Sequence, residues 1–263
     1  EIVTTLTNLE YGVKRKDKNL TIDVPTFRAT KDVSQKADII EEIARIHGYD
    51  NIEPKTNLWK ISPVPKDPVR ELEYDAKVLL ATKYGMSEVH SYVWYDTQLN
   101  QELGIKVRDN LKIVNGIAKL DNTLRREMAP TMLYAINKNL KYMPECKIFE
   151  IGRTFDYNFD GKEADEYKVL GLGLASAKQS EEELVYEAKS MIDNIVNINK
   201  NLNARYENIE DIKYNWMHPV NSFKIIVNDE ELGYITIVHP KIKDAINPKV
   251  SIVVAELRID TLG

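Results

Sequence analysis

From Leu111 onward the chain is dominated by strand-like segments, and that series constrains the fold more than any other feature. Segments 111–115, 147–157, 167–176, 223–228, 232–239 and 250–259 carry the β-branched and alternating apolar residues of half-buried or buried strands. Asn228-Asp229-Glu230-Glu231 supplies hairpin chemistry between two of them. Two helical patterns interrupt the series, at 132–143 and 180–199, and Ser180 followed three residues later by Glu183 matches a capping box. Helices inserted irregularly between long strands favour an α+β fold over a doubly wound one. The expected architecture is a mostly antiparallel sheet flanked by helices.

The first third reads differently. Residues 1–12 have apolar positions at Ile2, Val3, Leu6 and Leu9, a helical spacing that stops at Gly12 and reads as a helix cut near its start. Residues 18–25 alternate Leu20, Ile22 and Val24 against polar neighbours and end in Pro25, which predicts one edge strand. An acidic helix follows, stopped by Gly48. One short strand cannot close a core, so this unit is expected to be partial. Residues 53–68 hold four of the ten prolines, a stiff segment short of backbone donors. The expected organisation is therefore 1–53 as one unit, 54–67 as a linker and 68–263 as a larger domain. That domain opens with a helix over 69–84, with Leu72, Ala76, Leu79 and Leu80 on one side and Gly85 after it, then a strand at 87–95.

Composition narrows the function. No apolar run reaches the roughly 18 residues of a membrane span, and no secretory pattern opens the chain, so a cytoplasmic protein without membrane contact is expected. The single cysteine, Cys146, excludes an intrachain disulfide and a multi-thiolate zinc site. A formal net charge of -5 argues against binding nucleic acid by bulk electrostatics. Gly171 and Gly173 lie inside an apolar strand with no helix opening after them, which is packing and not a phosphate loop. His218-Pro219 and His239-Pro240 sit at strand ends, where the proline imposes extended geometry and a structural role.

Four acids stand out in the first unit: Asp32, Asp38, Glu41 and Glu42. At about 100° per residue, Asp38, Glu41 and Glu42 share one sector of a helix, opposite Ile39, Ile40, Ile43 and Ile46. Two readings remain open on spacing. Arg45 lies on the acidic face, so surface ion pairs account for the cluster; alternatively, converging carboxylates hold a hard cation.

Residues 24–52, with Arg28, Asp32, Asp38, Glu41, Glu42, Arg45 and Gly48-Tyr49-Asp50 in order, resemble the C-terminal half of the B5 domain in the phenylalanyl-tRNA synthetase β-subunit family. Residues 70–96, 120–157, 218–242 and 253–262 are similar to that family's class II synthetase-like core, in the same order. The resemblance implies a partial winged-helix-like B5 unit followed by a non-catalytic class II-like core. It implies Mg2+ on Asp32, Asp38, Glu41 and Glu42, shared with an α subunit, and ATP only at that α subunit. It implies an interface with α through Leu72, Ala76, Leu79 and Leu80, an (αβ)2 heterotetramer, and contact with tRNA-Phe through the whole complex.

Active class II relatives grip ATP with arginines on adjoining strands. Here Arg125, Arg126 and Glu127 stand in the matching neighbourhood, but no glycine run precedes Arg258, so these three are read as a degenerate, structural motif. Val220-Asn221 replaces the Gly-Arg that the family carries after its first His-Pro. Two other functions fit the same residues: a stand-alone winged-helix regulator that binds nucleic acid, and an independent class II adenylating enzyme.

Overall fold

A computed structural model describes residues 1–107, 111–116, 122–157, 164–200 and 202–262. The chain divides into two units, Glu1–Val64 and Pro65–Gly263.

The first unit runs α1 (Ile2–Asn8), β1 (Gly12–Lys16), β2 (Asn19–Asp23), α2 (Thr26–Ala29), α3 (Lys36–His47) and a 3-10 turn at Tyr49–Asn51. The β1–β2 hairpin corrects the expectation of one strand: Lys16 pairs with Asn19 and Gly12 with Asp23. Its tight turn carries Asp17 at φ 57°, the left-handed conformation that such turns need. The strand at Gly12–Lys16 lacks the apolar alternation of its partner because Val13 is its only apolar side chain of any size. Leu6, Tyr11 and Val33 form a small buried core, flanked by Val13, Ile22, Ile39 and Ile43. Ile40 and Ile46, expected on the buried side of α3, are 64% and 51% exposed.

The second unit runs α4 (Pro68–Lys83), β3 (Ser87–Glu88), α5 (Thr97–Glu102), α6 (Ala129–Asn139), β4 (Glu145–Tyr157), β5 (Ala164–Ser176), α7 (Glu181–Lys200), β6 (Arg205–Asn208), β7 (Met217–Val227), β8 (Glu230–Val238), α8 (Pro240–Ile246) and β9 (Ser251–Arg258). Its seven-stranded sheet has the order β3-β4-β5-β9-β8-β7-β6. Only the short β3–β4 pairing is parallel, so the sheet is mixed. The strand expected at 87–95 is reduced to β3 and a bridge from Trp94 to Leu124, and that at 111–115 to a bridge between Lys112 and Thr123.

Alternation along the strands sends side chains to two cores. Phe149, Leu172 and Ala255 face α4 and α7, where Leu72, Leu80, Ala188 and Ile192 meet them. Ile148, Ala175 and Val254 face α6, where Met128, Met132 and Ile136 cover them. Each fully buried Leu, Ile or Met contributes about 1.5–3 kcal/mol, which explains why β5 and β9 read as continuous apolar runs. The β7–β8 hairpin turns on Asn228 and Asp229, with φ of 52° and 62°. The capping box of α7 is present: the Ser180 amide donates to Glu183 Oε2 at 2.7 Å and the Glu183 amide to Ser180 Oγ at 3.2 Å.

Candidate functional site

The α3 acids each meet a different partner. Glu42 is turned inward and 7% exposed, contrary to the expectation that it faces solvent with Glu41. Its Oε1 accepts from Arg28 Nη2 at 2.9 Å and its Oε2 from Arg45 Nη2 at 2.7 Å. Arg28 also donates to Asp32. The Arg28 and Arg45 hydrogen bonds hold the Glu42 carboxyl below its ordinary range, while Asp32 and then Glu42 raise the Arg28 guanidinium further. Asp38 instead caps α3, accepting from the Ser34 and Gln35 amides at 2.7 and 2.9 Å, and those bonds lower its pKa. Glu41 is exposed.

These four carboxylates do not fit a cation as arranged. Both oxygens of Glu42 are taken by guanidinium groups, and Asp38 is turned back on the backbone. Among the described residues, no three His, Cys, Asp or Glu side chains are grouped to hold a metal. The cluster is an arginine–carboxylate network, and Arg28, which holds two acids lying 4 and 14 residues onward, is its hub.

In the second unit, Arg125 is a buried strut. It is 1% exposed, and its Nη1 lies 2.9 Å from Glu150 Oε1. Nη1 also donates to Ser91 Oγ at 2.7 Å, and Nε donates to the Arg153 carbonyl at 2.8 Å. Three elements are thereby joined: the segment after β3, the segment before α6, and β4. Gly152 on β4 makes room, since a β-carbon there would collide with the guanidinium. Neither Glu150, Ser91 nor Gly152 carried a signal in the sequence, because each acts through a partner at least 25 residues away.

Arg126 and Glu127 line a cleft of about 750 Å3 together with Asp156, Tyr167, Tyr234, Glu256 and Arg258. Arg126 pairs with Asp156. Glu127 is buried, and its Oε2 accepts the Tyr95 hydroxyl at 2.7 Å. Glu256 Oε1 accepts the Ala129 amide and the Tyr234 hydroxyl, each at 2.7 Å. Burial pushes Glu256 up to about 7, with the Glu127 charge adding to the effect. Arg258 sits over the Tyr167 ring, 4.3 Å from its centroid, and donates to Asp260 at 2.7 Å.

Two family profiles match the sequence: "tRNA synthetase B5 domain" over residues 1–49 and "Phenylalanyl tRNA synthetase beta chain CLM domain" over residues 53–259. The chain belongs to the phenylalanyl-tRNA synthetase β-chain family. Its relatives in that family include a phenylalanine–tRNA ligase β subunit of Leptospira borgpetersenii, 28% identical over 100% of this chain and 33% of the relative. Another, from Staphylococcus epidermidis, is 25% identical over 91% of this chain and 30% of the relative. The chain thus spans about a third of the length of such β subunits. Pyrrolysyl-tRNA synthetase from Desulfitobacterium hafniense shares the fold, with a TM-score of 0.57 at 14% identity over 74% of this chain and 68% of that one.

For a synthetase β chain, the expected seam on α4 needs correction. Leu72, Ala76 and Leu80 are no more than 1% exposed and lie in the chain's own core, with Leu79 packed against them. Their partners are on α7 and the sheet, so they are not free to meet another subunit. Tyr74 and Val78, on the other side of α4, are 68% and 43% exposed. His218 and His239, the histidines of the two His-Pro pairs, cap turns: His218 Nδ1 accepts from the Val220 and Asn221 amides, and His239 Nδ1 from the Lys241 amide. Gly171 and Gly173 pack against Met128 and Ile136. Cys146 is buried, and burial pushes its thiol up to about 11.

Proposed function

We propose that this chain serves as a non-catalytic scaffold within the β subunit of a phenylalanine–tRNA ligase. In this reading the α subunit charges tRNA-Phe with phenylalanine at the expense of ATP, and the present residues support α in an (αβ)2 assembly. The observation that carries the reading is Arg125. Of the two arginines in the neighbourhood that active relatives use to grip ATP, Arg125 has its guanidinium spent on Glu150, Ser91 and the Arg153 carbonyl, at 1% exposure. A group so engaged has no reach toward a phosphate without breaking a buried ion pair.

Because Leu72, Ala76 and Leu80 are occupied, the surface offered to α on this helix is the one carrying Tyr74 and Val78. The small first unit is read as a winged-helix-like B5 element, a reading supported by its order of helix, hairpin and helix. No helix among the described residues is long and apolar enough to cross a membrane.

Co-expression with an α chain from the same source tests the proposal. Stable co-purification, with phenylalanine-dependent pyrophosphate exchange by the complex and none by this chain alone, is the expected outcome. Exchange by this chain alone would refute the scaffold role.

A further inference from the structure

The proline-rich segment before α4 carries more apolar surface than a spacer needs. Every residue from 51 to 68 is exposed, and Leu58, Trp59, Ile61 and Val64 are 99%, 80%, 94% and 87% exposed. No helix or strand covers 52–67, and among the described residues no backbone amide or carbonyl of 53–66 is hydrogen-bonded. A segment that only separates two units is served by Gly, Ser or charged residues, which leave no apolar patch in water.

The prolines give this surface a shape. Pro54, Pro63 and Pro65 bias the backbone toward the extended left-handed form with three residues per turn. At that period Leu58, Ile61 and Val64 share one edge over roughly 19 Å, with Trp59 beside it. A chain stiffened in this way loses little freedom on docking, which is why proline-containing segments suit recognition in a groove.

Two observations select the occupant of that edge. Residues 54–66 carry Lys55, Lys60 and Lys66 and no acid, so the complementary groove is apolar with an acidic rim. The segment also runs directly into α4, where Tyr74 and Val78 are exposed. A subunit held on that face of α4 is ten residues of chain from Val64.

We propose that residues 58–64 dock in extended form into an acid-rimmed apolar groove of the α subunit, which makes this segment a strap in the αβ contact. The inference rests on the scaffold reading above and adds to it the residues that hold the partner.

Titration of α onto the 263-residue chain tests it, with Trp59→Ser plus Ile61→Ser as the variant. Loss of two anchors is expected to raise the Kd for α about a hundredfold, while the thermal transition stays unchanged. The emission of Trp59, isolated by difference from Trp59→Phe, is expected to move to shorter wavelength when α is added. Undiminished binding by the double variant, or no change in Trp59 emission, would overturn the strap and leave the scaffold role standing. Failure of the unaltered chain to bind α would remove both. Loss of the thermal transition in the double variant would place the strap in the chain's own fold, and self-association of the unaltered chain that the double variant abolishes would give it to a second copy; either result overturns the inference.

Discussion

Arg125 passes directly over Gly152, so that its guanidinium fills the space a β-carbon would occupy on that strand residue. The glycine is therefore a steric requirement of the ion pair with Glu150, at a point inside β4 where glycine otherwise weakens a strand. Gly152→Ala is expected to push the guanidinium off Glu150 and destabilise the chain by about 3 kcal/mol, the loss typical of breaking a buried pair. In an Arg125→Met background the same change is expected to cost much less. Denaturant unfolding of the two single variants and the double variant measures this coupling.

The helix α4 separates two kinds of substitution. Leu80 is fully buried in the chain's own core, so Leu80→Ala is expected to lower stability by about 2–5 kcal/mol whether or not a partner is present. Tyr74→Asp, on the exposed face, is expected to leave the thermal transition nearly unchanged and to weaken co-purification with α. Equal losses of stability in both variants would contradict the assignment of faces.

Glu256 imposes a dependence on pH. Its folded pKa of about 7 lies above the ordinary carboxyl value of 4.5. Between those values the folded state holds more protons than the unfolded state, so stability falls as pH rises from about 4.5 through 7. The cost at pH 8 is on the order of 3 kcal/mol relative to pH 4. Glu256→Gln is expected to flatten this slope, as read from unfolding midpoints across the range.

The first unit answers in the opposite direction. Arg28 and Arg45 lower the Glu42 pKa, so this residue stabilises the fold above the ordinary carboxyl range and ceases to do so as pH falls through its folded value. Glu42→Gln is expected to remove that part of the acid sensitivity, and also to lower stability at pH 7 because both guanidinium groups lose a charged partner. Circular dichroism during acid titration is the measurement.

Strands β4, β5, β7, β8 and β9 were legible because each keeps a local pattern, as in the apolar runs at 167–176 and 250–259 and the turn residues at Asn228 and Asp229, whereas the four-residue β6, with Tyr206 its one large apolar side chain, was not read. What failed to show was nonlocal. β1 carries Lys14, Arg15 and Lys16 and pairs only because β2 lies beside it. Glu42 turns inward because Arg28 comes from another element, while Ile40 and Ile46 stay outside a core too small to cover them. Helical periodicity identified Leu72, Ala76 and Leu80 as a buried face, yet periodicity does not say what buries it. The charged residues behave alike: Arg125 and Arg126 are adjacent, and only the fold makes one a sealed strut and the other a cleft wall.

Titration of the chain with ATP in the presence of Mg2+ tests the central claim most directly. With Arg125 committed to Glu150, and Arg126 and Arg258 to aspartates, the account predicts no saturable heat at millimolar nucleotide. Saturable binding that disappears in Arg125→Met or Arg126→Met would contradict it, because the guanidinium groups would then be gripping phosphate and not the protein.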